Sequence, residues 1–278
     1  MSKMNPSENW FYRLKRDIIC ATLVVLILSA SAVGFTIAGL ILQQVIDLRP
    51  SSTNASSSDP FLEAERIEGL FEACLLGTQQ TALCRKRSYG YYPEDADPSS
   101  HSTFSAIVGD RLAVIICLGA ALLLALSATV YVVVLLVLWC RASQDTMFLL
   151  FSRLIGAVIL FCSGVLYQLA VFYLHLSYVK ERTSYTALIP DLFLQWPEDL
   201  RRNTDIEYSM CYYFFWASLV AVYLASIILV IITVIANQYY TGFDEYDKVL
   251  IPPDTKEFSS KLNGHRNSEI EPIFLVEA

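Results

Sequence analysis

Four long segments without a charged residue constrain this chain more than any other feature. Each contains 25 to 29 residues and lacks Asp, Glu, Lys and Arg, and they cover residues 18–46, 112–140, 154–178 and 210–238. An α-helix rises about 1.5 Å per residue, so about 20 residues cross the roughly 30 Å of hydrocarbon in a bilayer. The sequence therefore predicts an all-α membrane protein with a bundle of four transmembrane helices.

The composition agrees with four membrane spans. Hydrophobic residues make up 55% of the 278 residues, and the mean hydropathy is +0.46. These values are high for a soluble domain. The first apolar segment is about twice as long as the apolar core of a signal peptide. We therefore expect it to be a retained span.

The lengths of the intervening segments predict the layout. An even number of spans puts both termini and the short middle loop on one side of the membrane. Four basic residues in the leader favour cytosolic termini under the positive-inside rule. The predicted order is cytosolic N-terminus (1–17), first span (18–46), extracellular loop 1 (47–111), second span (112–140), cytosolic loop (141–153), third span (154–178), extracellular loop 2 (179–209), fourth span (210–238) and disordered cytosolic tail (239–278).

Two features of the first outer loop favour the same orientation. Asn54-Ala55-Ser56 is an acceptor sequon for N-glycosylation in a Ser-rich segment. Cys74 and Cys84 are the only cysteines of this loop, and an oxidising compartment would allow them to pair. We therefore expect a glycan on Asn54 and a disulfide between the two cysteines.

The segment around these cysteines is typical of a β-hairpin. Residues 67–74 read as a short strand, 77–80 as a turn and 81–84 as a returning strand. A bridge across the hairpin would close a loop of about ten residues and stabilise it by about 2–4 kcal/mol. The sequence thus predicts a small disulfide-linked extracellular β-sheet from the first outer loop.

The pattern Gly69-Leu70-Phe71, followed by Cys74 and Cys84, resembles the Gly-Leu-Trp, Cys, Cys signature in the first loop of the claudin superfamily. That superfamily includes the peripheral myelin and epithelial membrane proteins and the gamma subunits of calcium channels. The four-span layout is similar, as is Arg111 at the outer start of the second span. Phe71 stands where the family usually has Trp, so the resemblance is to a divergent claudin-like protein, such as an invertebrate one.

The resemblance implies a non-enzymatic protein of the plasma membrane. Its outer loops would organise cell–cell contacts or membrane complexes, with other membrane proteins or further copies as partners in cis or trans. The alternative, implied by the gamma-subunit branch, is an auxiliary or trafficking subunit of an ion channel or receptor. His101, His175 and His265 fall in different predicted compartments, so we expect no metal, cofactor or catalytic site. Nucleic acid is not an expected partner.

Several cytosolic positions suggest modification or sorting. Cys140 and Cys20 lie next to the inner ends of spans, where reversible palmitoylation occurs. The acidic, proline-containing tail is typical of a disordered segment that binds cytosolic adaptors. Within the tail, Tyr240–Phe243 and Tyr246–Val249 resemble tyrosine-based sorting signals, although such short patterns also arise by chance.

Overall fold

Four long helices dominate the computed structural model, which describes residues 6–42, 45–50, 66–75, 84–86, 98–141, 146–184, 192–202 and 204–250. The helices are α1 (Pro6–Leu42), α2 (Pro98–Arg141), α3 (Thr146–Thr183), the short α4 (Glu198–Arg202) and α5 (Met210–Leu250). The segments long and apolar enough to cross a membrane are Arg16–Leu42, Ser102–Cys140, Leu150–Thr183 and Met210–Gln238. The prediction of four such helices is confirmed.

The helices differ from the predicted spans at their ends. α1 ends at Leu42, and Ile46, predicted as the end of the first span, begins a strand instead. α2 begins at Pro98, well before the charge-free segment, with the proline at a helix start, where its missing N–H costs nothing. α5 continues to Leu250, into the segment predicted as a disordered tail. Charged residues end an apolar segment, but helical hydrogen bonds need only the backbone and can continue past them.

The chain divides into two compact units, residues 1–230 and residues 231–278. In the second unit, the described residues belong to the last part of α5. The remaining residues of the predicted tail lie outside the described part of the chain.

A five-stranded antiparallel sheet lies at the end of the bundle where α1 and α3 end and α2 and α5 begin. Its order is β4-β3-β2-β1-β5. The strands are β1 (Ile46–Pro50), β2 (Arg66–Glu68), β3 (Glu72–Leu75), β4 (Cys84–Lys86) and β5 (Thr204–Tyr208). β5 lies in the predicted second loop, so the sheet combines the strands predicted in the first loop with one strand from the second, as the resemblance implies.

The register gives this sheet an inner and an outer face. Ile46 and Leu48 of β1 are 6% and 4% exposed and belong to the hydrophobic core. Asp47 and Arg49 alternate with them on the other face, opposite Glu207 and Asp205 of β5, respectively. We call these two sides the inner face and the outer face, because side chains alternate along a strand.

Small and hydroxyl-bearing residues pack the helices against one another. Ser163 of α3 donates its hydroxyl to the Ala121 carbonyl of α2 at 2.9 Å. The Thr36 Oγ1 of α1 lies 2.8 Å from the Tyr167 hydroxyl of α3 and 3.0 Å from the Ser218 hydroxyl of α5. All five side chains are fully buried. Small residues allow close helix approach, and hydroxyl groups find partners where there is no water.

Candidate functional site

A disulfide joins the last two strands of the first outer loop. Cys74 of β3 and Cys84 of β4 are directly opposite in the register, and their sulfurs are bonded at 2.08 Å. The expected disulfide is therefore confirmed. Residues 76–83, which include the predicted turn, lie outside the described part of the chain.

The motif Gly69-Leu70-Phe71 forms the turn between β2 and β3. The Gly69 N–H donates to the Glu72 carbonyl at 2.8 Å, which leaves Leu70 and Phe71 as the two loop residues. The prediction of one strand over residues 67–74 is wrong, because two antiparallel strands occupy this segment. Leu70 is buried, while Phe71 is 36% exposed. The turn was missed because it lacks the Asn-Gly or Asp-Gly pair that usually marks a two-residue hairpin loop.

Arg111 forms an ion pair close to this turn. Its Nε donates to Glu181 Oε1 of α3 at 2.8 Å, and the two side chains are 10% and 14% exposed. Ser177, one helical turn earlier, donates its hydroxyl to the same Oε1 at 3.0 Å. Arg111, Glu181 and the first two residues of the Gly-Leu-Phe turn line one small cavity. The arginine therefore ties α2 to α3 next to the first-loop motif.

A second ion pair lies beside the first. Lys180 Nζ of α3 is 2.5 Å from Asp110 Oδ2 of α2. Neither this pair nor the Glu181 partner of Arg111 was predicted. A signal was nevertheless present, because Asp110-Arg111 and Lys180-Glu181 are doublets of opposite charge that flank the second and third predicted spans.

An aromatic cluster joins β5 to the outer ends of α3 and α5. Tyr208 of β5 stacks on Tyr212 with ring centroids 4.0 Å apart, and its ring is 5.1 Å from that of Tyr178. The Tyr208 hydroxyl is 2.7 Å from His175 Nδ1. The Arg182 guanidinium lies 5.5 Å from the centre of the Tyr178 ring, within the range of a cation–π contact. The cluster fastens the second outer loop to the bundle.

The environment of Tyr208 favours its neutral form. Burial raises the pKa of Tyr208 to about 12, and the neighbouring hydroxyls of Tyr212 and Tyr178 act in the same direction. The positive charge of Arg182 opposes them in part. Tyr208 therefore keeps its proton, and with it the ability to donate to His175, at any physiological pH.

The remaining predicted positions are not brought into this site. Cys20 and Cys140 are exposed on α1 and α2, and their palmitoylation stays a prediction. Asn54 lies outside the described residues. The two tyrosine-based patterns, Tyr240–Phe243 and Tyr246–Val249, fall in the last turns of α5.

Three side chains near the disulfide have potential ligand atoms close enough together to contact one metal ion. Potential ligand atoms of Glu72, Cys74 and Cys84 lie within 4.8 Å of one another. The two sulfurs are bonded to each other, however, and a metal requires thiolates. This arrangement therefore offers only one carboxylate and is not a candidate metal site.

Comparison with protein-family models and with curated proteins gives no match for this chain.

Proposed function

We propose that the four long helices span a lipid bilayer at the plasma membrane, with both outer loops extracellular. The support is the distribution of exposed apolar side chains in the described residues. Apart from Phe71, every large apolar side chain that is exposed in the described part of the chain lies within the four candidate spans. Lipid would cover this surface, which in water would drive aggregation.

The function that best fits the molecule is that of a non-enzymatic, claudin-like membrane protein that organises cell–cell contacts or membrane complexes. One observation carries this proposal: the two outer loops form a single disulfide-linked sheet beside the Arg111–Glu181 ion pair. Such a preorganised surface loses little conformational freedom when it binds a partner. The partners are membrane proteins in cis or trans, including other copies, and the tail binds cytosolic adaptors.

A cell-mixing experiment tests this function. Non-adherent cells that express the tagged full-length chain are mixed with cells that do not, and the protein is imaged. We expect enrichment only where two expressing cells touch. The variant Cys74→Ser/Cys84→Ser should reach the surface but lose enrichment if the sheet makes the contact, whereas Cys117→Ser, a thiol substitution within α2, serves as the control.

The same experiment distinguishes the alternative. Uniform surface distribution, or retention inside the cell until a second membrane protein is supplied, would contradict homotypic adhesion. Either result would favour an auxiliary subunit of an ion channel or receptor.

A further inference from the structure

Arg182, near the end of α3, differs from the charged residues around it because it forms no ion pair with a described residue. Asp110 pairs with Lys180, and Arg111 pairs with Glu181, so these four charges cancel. Within the described ranges, no carboxylate lies within ion-pair distance of Arg182. Its positive charge therefore remains uncompensated beside the two pairs.

Two aromatic rings hold the guanidinium group of Arg182. Its central carbon lies 5.5 Å from the centre of the Tyr178 ring and 5.0 Å from the centre of the Phe193 ring. Tyr178 belongs to α3, whereas Phe193 belongs to a short 3-10 helix of the second outer loop, Phe193–Gln195. Both rings attract the cation. Because the group is already held in place, it loses little conformational freedom when it binds a ligand.

Most of the hydrogen-bonding capacity of Arg182 is not used by the described residues. Its Nη1 donates to the Tyr178 hydroxyl at 2.9 Å. An arginine has several further N–H donors, arranged as a planar fork. This fork matches two oxygens of one phosphate or carboxylate group. The side chain is therefore suited to bind an anion.

The position of Arg182 along α3 predicts its depth in a bilayer. The charge-free segment of this helix ends at residue 178, and Arg182 comes one turn later, after about 6 Å of helix. A bilayer has about 30 Å of hydrocarbon and is about 40–45 Å thick with its headgroups, so each headgroup layer is about 5–8 Å deep. Arg182 therefore falls in the layer that contains the lipid phosphates.

Exposed apolar side chains continue from Arg182 toward the middle of α3. Val179 and Phe172 are 40% and 59% exposed. A helix turns by about 100° per residue, so both side chains lie within about 80° of Arg182 around the helix axis. One face of α3 thus combines a cation at headgroup depth with an apolar surface below it.

We propose that Arg182 binds the phosphate group of a phospholipid in the outer leaflet, with the acyl chains along Val179 and Phe172. A phospholipid fits this face better than an acidic side chain of a partner protein, because one molecule supplies both the anion and the apolar chains at the required depth. The inference rests on the proposed membrane location and topology, and it does not depend on the cell-contact function.

Native mass spectrometry of the full-length protein in detergent micelles tests the site. The probes are phosphatidylcholine and a diacylglycerol with the same acyl chains, which lacks the phosphate. We expect phosphatidylcholine to bind about tenfold more tightly, at the lower end of the effect of charge-assisted hydrogen bonds. Equal binding of the two lipids to the unchanged protein would overturn the proposal. This comparison requires no variant, so it does not depend on the folding of one.

Variants then assign the preference to Arg182. Arg182→Gln should lose most of the preference for phosphatidylcholine, and Arg182→Lys should keep part of it, because lysine retains the charge without the planar fork. The matched control is Arg202→Gln, since Arg202 of α4 is 75% exposed and paired with Glu198. It should bind both lipids like the unchanged protein. A full preference in Arg182→Gln would contradict the assignment.

A competition experiment separates a lipid from the other sources of an anion. Inorganic phosphate at millimolar concentration should leave phosphatidylcholine bound, because it lacks the acyl chains. Complete displacement by inorganic phosphate would overturn the lipid assignment. Loss of binding to another membrane protein in Arg182→Gln, with an unchanged preference for phosphatidylcholine, would assign Arg182 to an acidic group of that protein and also overturn it.

The cell-mixing experiment keeps this inference distinct from the proposed function. Enrichment of the unchanged protein at cell contacts, without a preference for phosphatidylcholine in micelles, would overturn the lipid site and leave the contact function standing. A preference that depends on Arg182, without enrichment at contacts, would support the lipid site and contradict adhesion. Release of the protein from membranes by alkaline carbonate would contradict the membrane location and the lipid site together.

Discussion

Single residues at the junction of bundle and sheet have the largest expected effect on stability. Replacing Arg111 with Met removes the ion pair between Arg111 and Glu181, whose side chains are 10% and 14% exposed. Breaking a buried pair in this way costs about 3–5 kcal/mol. We expect Arg111→Met to unfold at a lower denaturant concentration in detergent micelles. The double variant Arg111→Met/Glu181→Gln should recover part of the loss, and an unchanged midpoint for the single variant would contradict a stabilising ion pair.

The disulfide makes a second residue-scale prediction. The bond joins residues with a sequence separation of 10, and closing such a loop contributes about 2–4 kcal/mol. We expect Cys74→Ser/Cys84→Ser to make the outer sheet more sensitive to extracellular protease on intact cells. The Cys117→Ser control should resemble the unchanged protein. Equal cleavage of the double variant and the control would show that the sheet does not depend on the bond.

The raised pKa of Tyr208 predicts that the protein loses stability at alkaline pH. Its pKa is raised from 10.0 to about 12 in the folded protein, so the folded state holds the hydroxyl proton where the unfolded state has lost it. The contribution of Tyr208 to the free energy of unfolding is therefore complete below the pKa that this residue has in the unfolded chain. It disappears as the pH rises through the pKa that the residue has in the folded protein. Between these two pH values, the free energy of unfolding should fall less for Tyr208→Phe than for the unchanged protein. Identical pH dependence in the two proteins would contradict the raised pKa.

Residues differ in how far the sequence reveals their roles. Cys74 and Cys84 could be paired from sequence because they are the only cysteines of their loop. Arg111 could be singled out by resemblance, but its partner Glu181 could not. The two residues are 70 positions apart in the sequence. Their contact depends on how two helices pack, so no local sequence pattern indicates it.

Among the elements, α1 offers a matched pair of glycines that tests the packing of the bundle. A methyl group at Gly39 would lie 2.8 Å from the Phe215 ring, whereas one at Gly34 would meet nothing within 4 Å. Phe215 is 1% exposed and has little room to move. Gly39→Ala should therefore lower stability by about 1–3 kcal/mol, the usual effect of overpacking. Thermal unfolding in micelles should leave Gly34→Ala close to the unchanged protein, and equal melting of the two variants would contradict the close approach of α1 to α5.

Helices were easier to predict than strands. Long charge-free segments predict long apolar helices by length alone, whereas each strand described here has only three to five residues. β5 was not predicted because five residues with weak alternation resemble many loops. β5 is a strand because its backbone pairs with β1, which lies far earlier in the sequence.

At the scale of the whole molecule, the proposed topology predicts which parts are accessible from outside the cell. Epitopes at both termini should be stained only after permeabilisation, while Asp205→Cys should react with an impermeant maleimide on intact cells. Treatment with a glycosidase should shift the mobility of the unchanged protein but not of Asn54→Gln. External staining of either terminus would contradict the orientation, because an even number of spans keeps both ends on one side.

The four long apolar helices could be predicted because each one is a local property of the sequence. The joining of two loops into one sheet is implied only by the resemblance and by no local pattern, since it depends on where the ends of the helices meet. Arg111, Leu70 and Glu181 illustrate the difference. They line one cavity, yet they come from three separate parts of the chain.

The place of β1 between β2 and β5 also has a consequence for biosynthesis. Pro50 and Thr204 are register partners about 150 residues apart, and ribosomes add about 5–20 residues per second. The nascent chain therefore carries β1 with one side unpaired for about 8–30 seconds before β5 is made. A chain truncated before Thr204 never completes the sheet. We expect the machinery that monitors newly made membrane proteins to recognise that open strand, so release from the endoplasmic reticulum would depend on the last quarter of the sequence.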